Sequence, residues 1–84
     1  MQFSVHINIM PHPELLDPQG KTVEANLPNV GITGVSKVRI GKHIQFNIDA
    51  ASEEEAHKIA AEACEKLLAN PIMENYKIEV SPAE

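Results

Sequence analysis

Phe3, Val5, Ile7 and Ile9 alternate with Gln2, Ser4, His6 and Asn8. A period of two predicts a strand with one buried face. Pro11 and Pro13 stop it. Asp17 then stands directly before Pro18. Aspartate accepts hydrogen bonds from the free N–H groups of a first helical turn, and proline is preset for the first helical position, so a helix should begin at Pro18. Its apolar stripe is Val23 and Leu27, and Gly20 is small enough to bring the helix close to the sheet. Inside a helix Pro28 would clash with the carbonyl of Glu24. The helix should therefore end near Leu27, with Gly31 and Gly34 marking the loop that follows.

Residues 35–40 read as a second strand and 43–49 as a third, joined by a tight hairpin at Gly41-Lys42 in which glycine supplies the positive φ of a primed turn. Val38 and Ile40 should face the core with Ile44, Phe46 and Ile48. Ser52 with Glu55 three residues on is a capping box, and Glu53, Glu54 and Glu55 suit the positive end of a helix dipole. Ala56, Ile59, Ala60, Ala63 and Leu67 follow helical spacing, which places Leu67 in the core. Asn70-Pro71 should stop this helix. Tyr76, Ile78 and Val80 alternate as a last strand, and residues 81–84 should fray. The order β-α-β-β-α-β defines an α+β fold: a four-stranded antiparallel sheet with two helices on one face, ferredoxin-like in plan. Right-handed crossovers place the first and third strands centrally.

The chain has 84 residues, enough for a single domain spanning 1–84. A chain of this size buries only about 60–65% of its unfolded surface. With Cys64 as the single cysteine there is no disulfide framework, so self-association is the expected remedy for a thin core. No stretch approaches the roughly 20 apolar residues of a membrane span, and no signal peptide is apparent at the start, so a cytoplasmic protein without a membrane contact is expected. Seven basic against twelve acidic residues give a formal net charge of -5. That balance argues against nucleic acid as a partner.

The four histidines, His6, His12, His43 and His57, show no helical i,i+4 pairing, and they read as surface or hydrogen-bonded side chains rather than metal ligands. Cys64, among alanines and leucines, reads as a packing residue rather than a nucleophile. Gly31-Ile32-Thr33-Gly34 is too short for a phosphate-binding fingerprint. No catalytic, cofactor-binding or metal residue is therefore assigned. RNA-recognition domains share the same element order but need exposed strand aromatics, whereas Phe3 and Phe46 fall in the core phase. An acylphosphatase-like enzyme would want a glycine-rich, arginine-bearing loop where Met10-Pro11-His12-Pro13 stands. Two surfaces are candidates for self-association. One is a second small or apolar stripe on the second helix, Ala61, Cys64 and Leu68. The other is the outer sheet face, whose His6, Asn8, Gln45 and Asn47, with Ser4, are polar but uncharged.

Three strings carry more information. Leu16-Asp17-Pro18-Gln19-Gly20-Lys21, Val38-Arg39-Ile40-Gly41-Lys42 and Cys64-Glu65-Lys66-Leu67-Leu68-Ala69-Asn70-Pro71 together resemble the PurS family, small subunits of formylglycinamide ribonucleotide amidotransferase. The resemblance runs from the first strand to Val80, with departures at Pro28 and the Gly31-to-Gly34 loop. It implies a homodimer or larger assembly that bridges a glutaminase subunit and a large synthetase subunit of a ligase of purine biosynthesis. In that complex the glutaminase releases ammonia, and the synthetase uses ATP and magnesium to add it to formylglycinamide ribonucleotide. The small subunit would hold no cofactor and no catalytic residue. On this reading Asp17, Gln19 and Gly20 at the helix start, and Arg39, Gly41 and Lys42 at the hairpin, are candidates for docking to the partners. The competing class is a small-molecule-binding regulatory module acting as a dimer; a stand-alone enzyme is the third.

Overall fold

The computed structural model describes residues 1–15, 17–70 and 72–83. Leu16 of the first string, the expected stop at Pro71 and the terminal Glu84 lie outside the described residues. Three strands, β1 (Gln2–Pro11), β2 (Lys42–Asp49) and β3 (Glu74–Pro82), form one antiparallel sheet in the order β2-β1-β3. The alternation read from β1 sets the register on both sides: Ile7 lies opposite Ile44 of β2 and Ile78 of β3. Val5, Ile7 and Ile9 are fully buried on the inner face. β3 runs further than its apolar pattern suggested. Ser81 and Pro82 pair with Ser4 and Phe3, and the Ala83 N–H donates to the Gln2 carbonyl at 2.9 Å, so this end does not fray.

Helix α2 (Glu53–Ala63) begins as its sequence requires, with the Ser52 hydroxyl accepting from the Glu55 N–H at 3.1 Å. It lies across β1 and β3. Ala56, Ala60 and Cys64, one turn apart, carry no side chain large enough to hold the helix off the sheet, and all three are fully buried. After Ala63 the helix widens into a π turn, Cys64–Leu68, closed by the Ala69 N–H on the Cys64 carbonyl at 3.0 Å. This widening decides which leucine is core. A π turn takes about 4.4 residues rather than 3.6, so the position above Cys64 falls on Leu68 and Ala69 rather than Leu67. Leu68 packs on the core, and Leu67, expected inside, is 82% exposed.

Helix α1 (Pro18–Asn26) ends where Pro28 demands and passes into a 3₁₀ turn, Leu27–Val30. Gly31, at φ 83°, closes it in the left-handed conformation that glycine adopts freely. The expected second strand is absent: residues 35–40 form no ladder among the described residues, and the sheet has three strands instead of four. Among the described residues only α2 covers the sheet. Apart from its own 3₁₀ turn, α1 has at most marginal contact with the other elements. The molecule is accordingly elongated, 50 × 30 × 15 Å, with a radius of gyration of 16.3 Å. A compact domain of this length would have about 12 Å.

Ile7→Ala should cost about 2–5 kcal/mol, since it opens a cavity under the central strand. Leu67→Ala should stay within about 0.5 kcal/mol, as for other exposed positions. Ser52→Ala should cost about 1 kcal/mol through the lost cap. Urea unfolding of the three variants checks the order Ile7, Ser52, Leu67.

Candidate functional site

The chain between β1 and β2 is held by carboxylates. Asp17, buried at the α1 N-terminus, accepts from the Gly20 N–H through Oδ1 at 2.9 Å and from the Ile40 N–H through Oδ2 at 2.8 Å. Two residues before the helix ends, Glu24 accepts from the Val38 N–H at 3.1 Å. These bonds explain the missing strand. The N–H groups of Val38 and Ile40, which a sheet neighbour would have taken, are satisfied by Glu24 of α1 and by Asp17, its N-cap. Gly20 does allow a close approach, but to the Val38 backbone rather than to the sheet: a Cβ there would collide with the Val38 carbonyl.

Arg39 completes the arrangement. Its guanidinium donates to the carbonyls of Pro11 at 3.1 Å, His12 at 2.7 Å and Pro13 at 3.0 Å. Its Nε lies 3.7 Å from Asp17 Oδ2. The sequence offered Arg39 as a candidate for docking. In the structure it is a staple that satisfies the carbonyls of a proline-broken segment. The Gly20 N–H, then the Ile40 N–H, hold the Asp17 carboxyl below the usual carboxylate range; partial burial opposes them, and the Arg39 charge adds to the lowering. Gly41 is not a hairpin residue either. It has no positive φ, and its need for glycine is steric, since a Cβ would strike the Ile9 carbonyl.

At the far end of α2, Lys42 Nζ donates to the Leu68 carbonyl at 3.3 Å and lies 3.7 Å from Glu74 Oε1. Asn70 turns the chain into β3, its Oδ1 accepting from the Ile72 N–H at 3.0 Å and its carbonyl from the Glu74 N–H at 2.7 Å. The three strings singled out in the sequence thus converge. Asp17 and Gln19, Gly41 and Lys42, and Asn70 with Met73 line one open groove of about 660 Å³. Of the six docking candidates, Asp17, Gly20, Arg39 and Gly41 are committed to architecture. Gln19 and Lys42 are exposed beside the groove.

The self-association candidates divide as well. Cys64 is fully buried in the chain's own core, Ala61 is half-buried, and Leu68 packs on that core, so the second stripe of α2 is used internally. Burial pushes the Cys64 thiol up, and neighbouring Glu65 adds to this. His6, Asn8, Gln45 and Asn47 do share the outer sheet face, where Ser4 and Asn47, His6 and Gln45, and Asn8 and His43 are cross-strand partners. The reading by helical spacing missed that this register sets His43 beside His6, with Nε2 and Nδ1 3.4 Å apart. Pairing two alternating strands on paper, with their inward positions aligned, is the signal that finds such a pair.

Among the described residues no three His, Cys, Asp or Glu side chains converge. This is a small α+β domain whose motif residues build a groove and an arm. Residues 4–82 match the family described as PurS: Phosphoribosylformylglycinamidine (FGAM) synthase, and the chain belongs to that family. Phosphoribosylformylglycinamidine synthase subunit PurS of Synechocystis sp. is 40% identical, over 100% of this chain and 86% of the relative. The fold is that of the crystal structure of Methanocaldococcus jannaschii PurS, described as one of the subunits of formylglycinamide ribonucleotide amidotransferase in the purine biosynthetic pathway. That match has a TM-score of 0.86 and 32% identity, covering 98% of this chain and 99% of that one. A chain in the structure of PurLQS from Thermotoga maritima matches with a TM-score of 0.88 and 33% identity, covering 96% and 99%.

The lowered Asp17 carboxyl gives a pH prediction. A carboxyl depressed in the folded state stabilises fully above its unfolded value near 3.8, and that contribution is lost as pH falls through the lower folded value. Asp17→Asn keeps an oxygen for one N–H but titrates no longer. Its melting temperature should lie below that of the parent at pH 7, with the gap closing below pH 4. A gap independent of pH would show that the charge of Asp17 contributes nothing.

Proposed function

We propose that this chain is the non-catalytic small subunit of phosphoribosylformylglycinamidine synthase and bridges the glutaminase and synthetase subunits so that ammonia passes from one to the other. The observation that carries this is the PurS match across residues 4–82. The groove supports it, because the family's strings meet there with Gln19 and Lys42 left exposed beside it. ATP and magnesium belong to the synthetase partner, and this chain supplies no reacting group. The reaction takes place in the cytoplasm; among the described residues no helix is long and apolar enough to cross a membrane.

Self-association is part of the proposal, through a surface different from the two the sequence suggested. On the inner sheet face α2 spans β1 and β3, and Ile44, Phe46 and Ile48 of β2 are left half-buried. The arm carries its own uncovered apolar positions, Val23, Val30, Ile32 and Val35, 40–71% exposed. Each surface is what the other lacks, and both occur on one chain. A second copy is therefore the occupant, its arm covering the β2 strip.

Two measurements test these readings. Added to its glutaminase and synthetase partners, the chain should restore glutamine-dependent formation of the amidine, and it should matter much less when ammonia is supplied directly. Alone it should show no glutaminase, ATPase or ligase activity. Equal turnover with and without the chain would remove the bridging role. In light scattering at micromolar concentration the parent should be a dimer or larger, and Val23→Glu should shift it toward monomer. A parent that is monomeric at that concentration would refute the arm exchange.

A further inference from the structure

The outer face of the sheet holds a feature that docking does not require. His6 on β1 and His43 on β2 stand diagonally across the ladder, with ring centroids 5.4 Å apart and planes inclined at 52°. Each ring is oriented from behind. His43 Nδ1 lies 2.6 Å from Asn8 Oδ1, which can only accept, so the proton sits on Nδ1 and Nε2 presents a lone pair. His6 Nε2 lies 3.2 Å from the Ser4 hydroxyl, which can accept as well as donate. When His6 carries its proton on Nε2 and donates to Ser4, its Nδ1 also presents a lone pair. The two nitrogens, His6 Nδ1 and His43 Nε2, are 3.4 Å apart.

That separation has a chemical meaning. Zinc–imidazole bonds of about 2.0–2.1 Å at a tetrahedral angle place the two nitrogens about 3.3–3.4 Å apart. We propose that His6 and His43 form a bidentate site for a divalent transition-metal ion of the imidazole-binding class, zinc, copper or nickel, on the outer face of the sheet. The rings now face each other as a hydrogen-bonded pair. Binding requires each ring to turn about its Cβ–Cγ bond, a torsion with a broad well, until both lone pairs meet at one ion. No net proton is released, because the His6 proton moves from Nδ1 to Nε2. The Asn8 and Ser4 partners are the second tier of contacts that fix tautomer and ring angle in metal-binding histidines.

Gln45, directly opposite His6, supplies a third donor. Its amide nitrogen is 3.1 Å from His43 Nε2, and turning the amide over puts a carbonyl oxygen at that position. On the other side Glu79 of β3 faces His6 across the ladder and contributes negative charge to this face, while Lys77 faces Asn8 and opposes it. The remaining coordination positions are open to solvent, since His43, Asn8 and Gln45 are all exposed. The site sits on paired strands rather than a loop, so both imidazoles are held before an ion arrives.

The test is calorimetric titration of the full chain with zinc chloride, and separately with copper and nickel salts, in a non-coordinating buffer at pH 7.5. One ion should bind per chain. His6→Gln and His43→Gln should each weaken binding at least about tenfold. Asn8→Ala, which removes only the orienting acceptor, should weaken it by about tenfold. The double variant His12→Gln/His57→Gln should bind as the parent does, which separates this pair from the other histidines. In the unmodified chain the ring-nitrogen resonances of His6 Nδ1 and His43 Nε2 should be the ones displaced by zinc. That measurement decides the matter should a variant fail to fold. Absence of binding by the parent at millimolar ion, parental affinity in either single variant, or displacement of the His12 or His57 resonances instead would each overturn the proposal.

Discussion

The Asp17 carboxylate is the interaction on which the shape of this molecule depends. Its two oxygens serve backbone donors 3 and 23 residues further on, one starting α1 and the other fastening the returning chain beside it. A single cap would have given a helix on a loose tether. The second bond, with Glu24 on Val38 and Arg39 across the carbonyls of Pro11, His12 and Pro13, makes the excursion between β1 and β2 a braced arm. Because these bonds are made within the arm, α1 has no need of the sheet and does not lie on it. The elongated outline, the half-covered sheet and the convergence of the three motifs in one groove all follow.

The contest for backbone donors also explains what was legible in the sequence. Features decided within one turn or one strand were readable: the alternation of β1, the Asp17-Pro18 and Ser52 starts, and the halt imposed by Pro28. The alternation of Val38 and Ile40 was equally visible, and it describes an extended segment correctly. What alternation does not carry is the identity of the partner. An extended chain satisfies its N–H groups with any well-placed acceptor, and here carboxylates 14 and 23 residues upstream, Glu24 and Asp17, take the place of a strand. The resemblance to PurS survived this error, because a family string records which residues recur and not what each one bonds.

Two other departures have the same character. Leu67 and Leu68 differ by one position, and ideal 3.6-residue spacing from Ala56 and Ala60 admits Leu67. The π turn at the end of α2 transfers the core role to Leu68. Likewise His6 and His43 are 37 residues apart and share no helical spacing, yet antiparallel register sets them one diagonal step apart. Local periodicity predicts faces; only register predicts neighbours.

The uneven covering of the sheet bears on why so small a chain is built this way. A sheet face of apolar side chains must be buried against another layer. Here α2, made narrow by Ala56 and Ala60, seals β1 and β3 tightly and stops short of β2. In a self-sufficient domain α1 would close the remaining strip. Bracing α1 away from the sheet instead leaves Ile44, Phe46 and Ile48 half-buried, and leaves the apolar positions of the arm exposed. On the proposed association, folding stability depends on protomer concentration, because a second copy supplies part of the core. For the proposed bridging role that dependence is an advantage: an assembly of copies would offer two or more identical grooves, which a compact monomer of 84 residues would not.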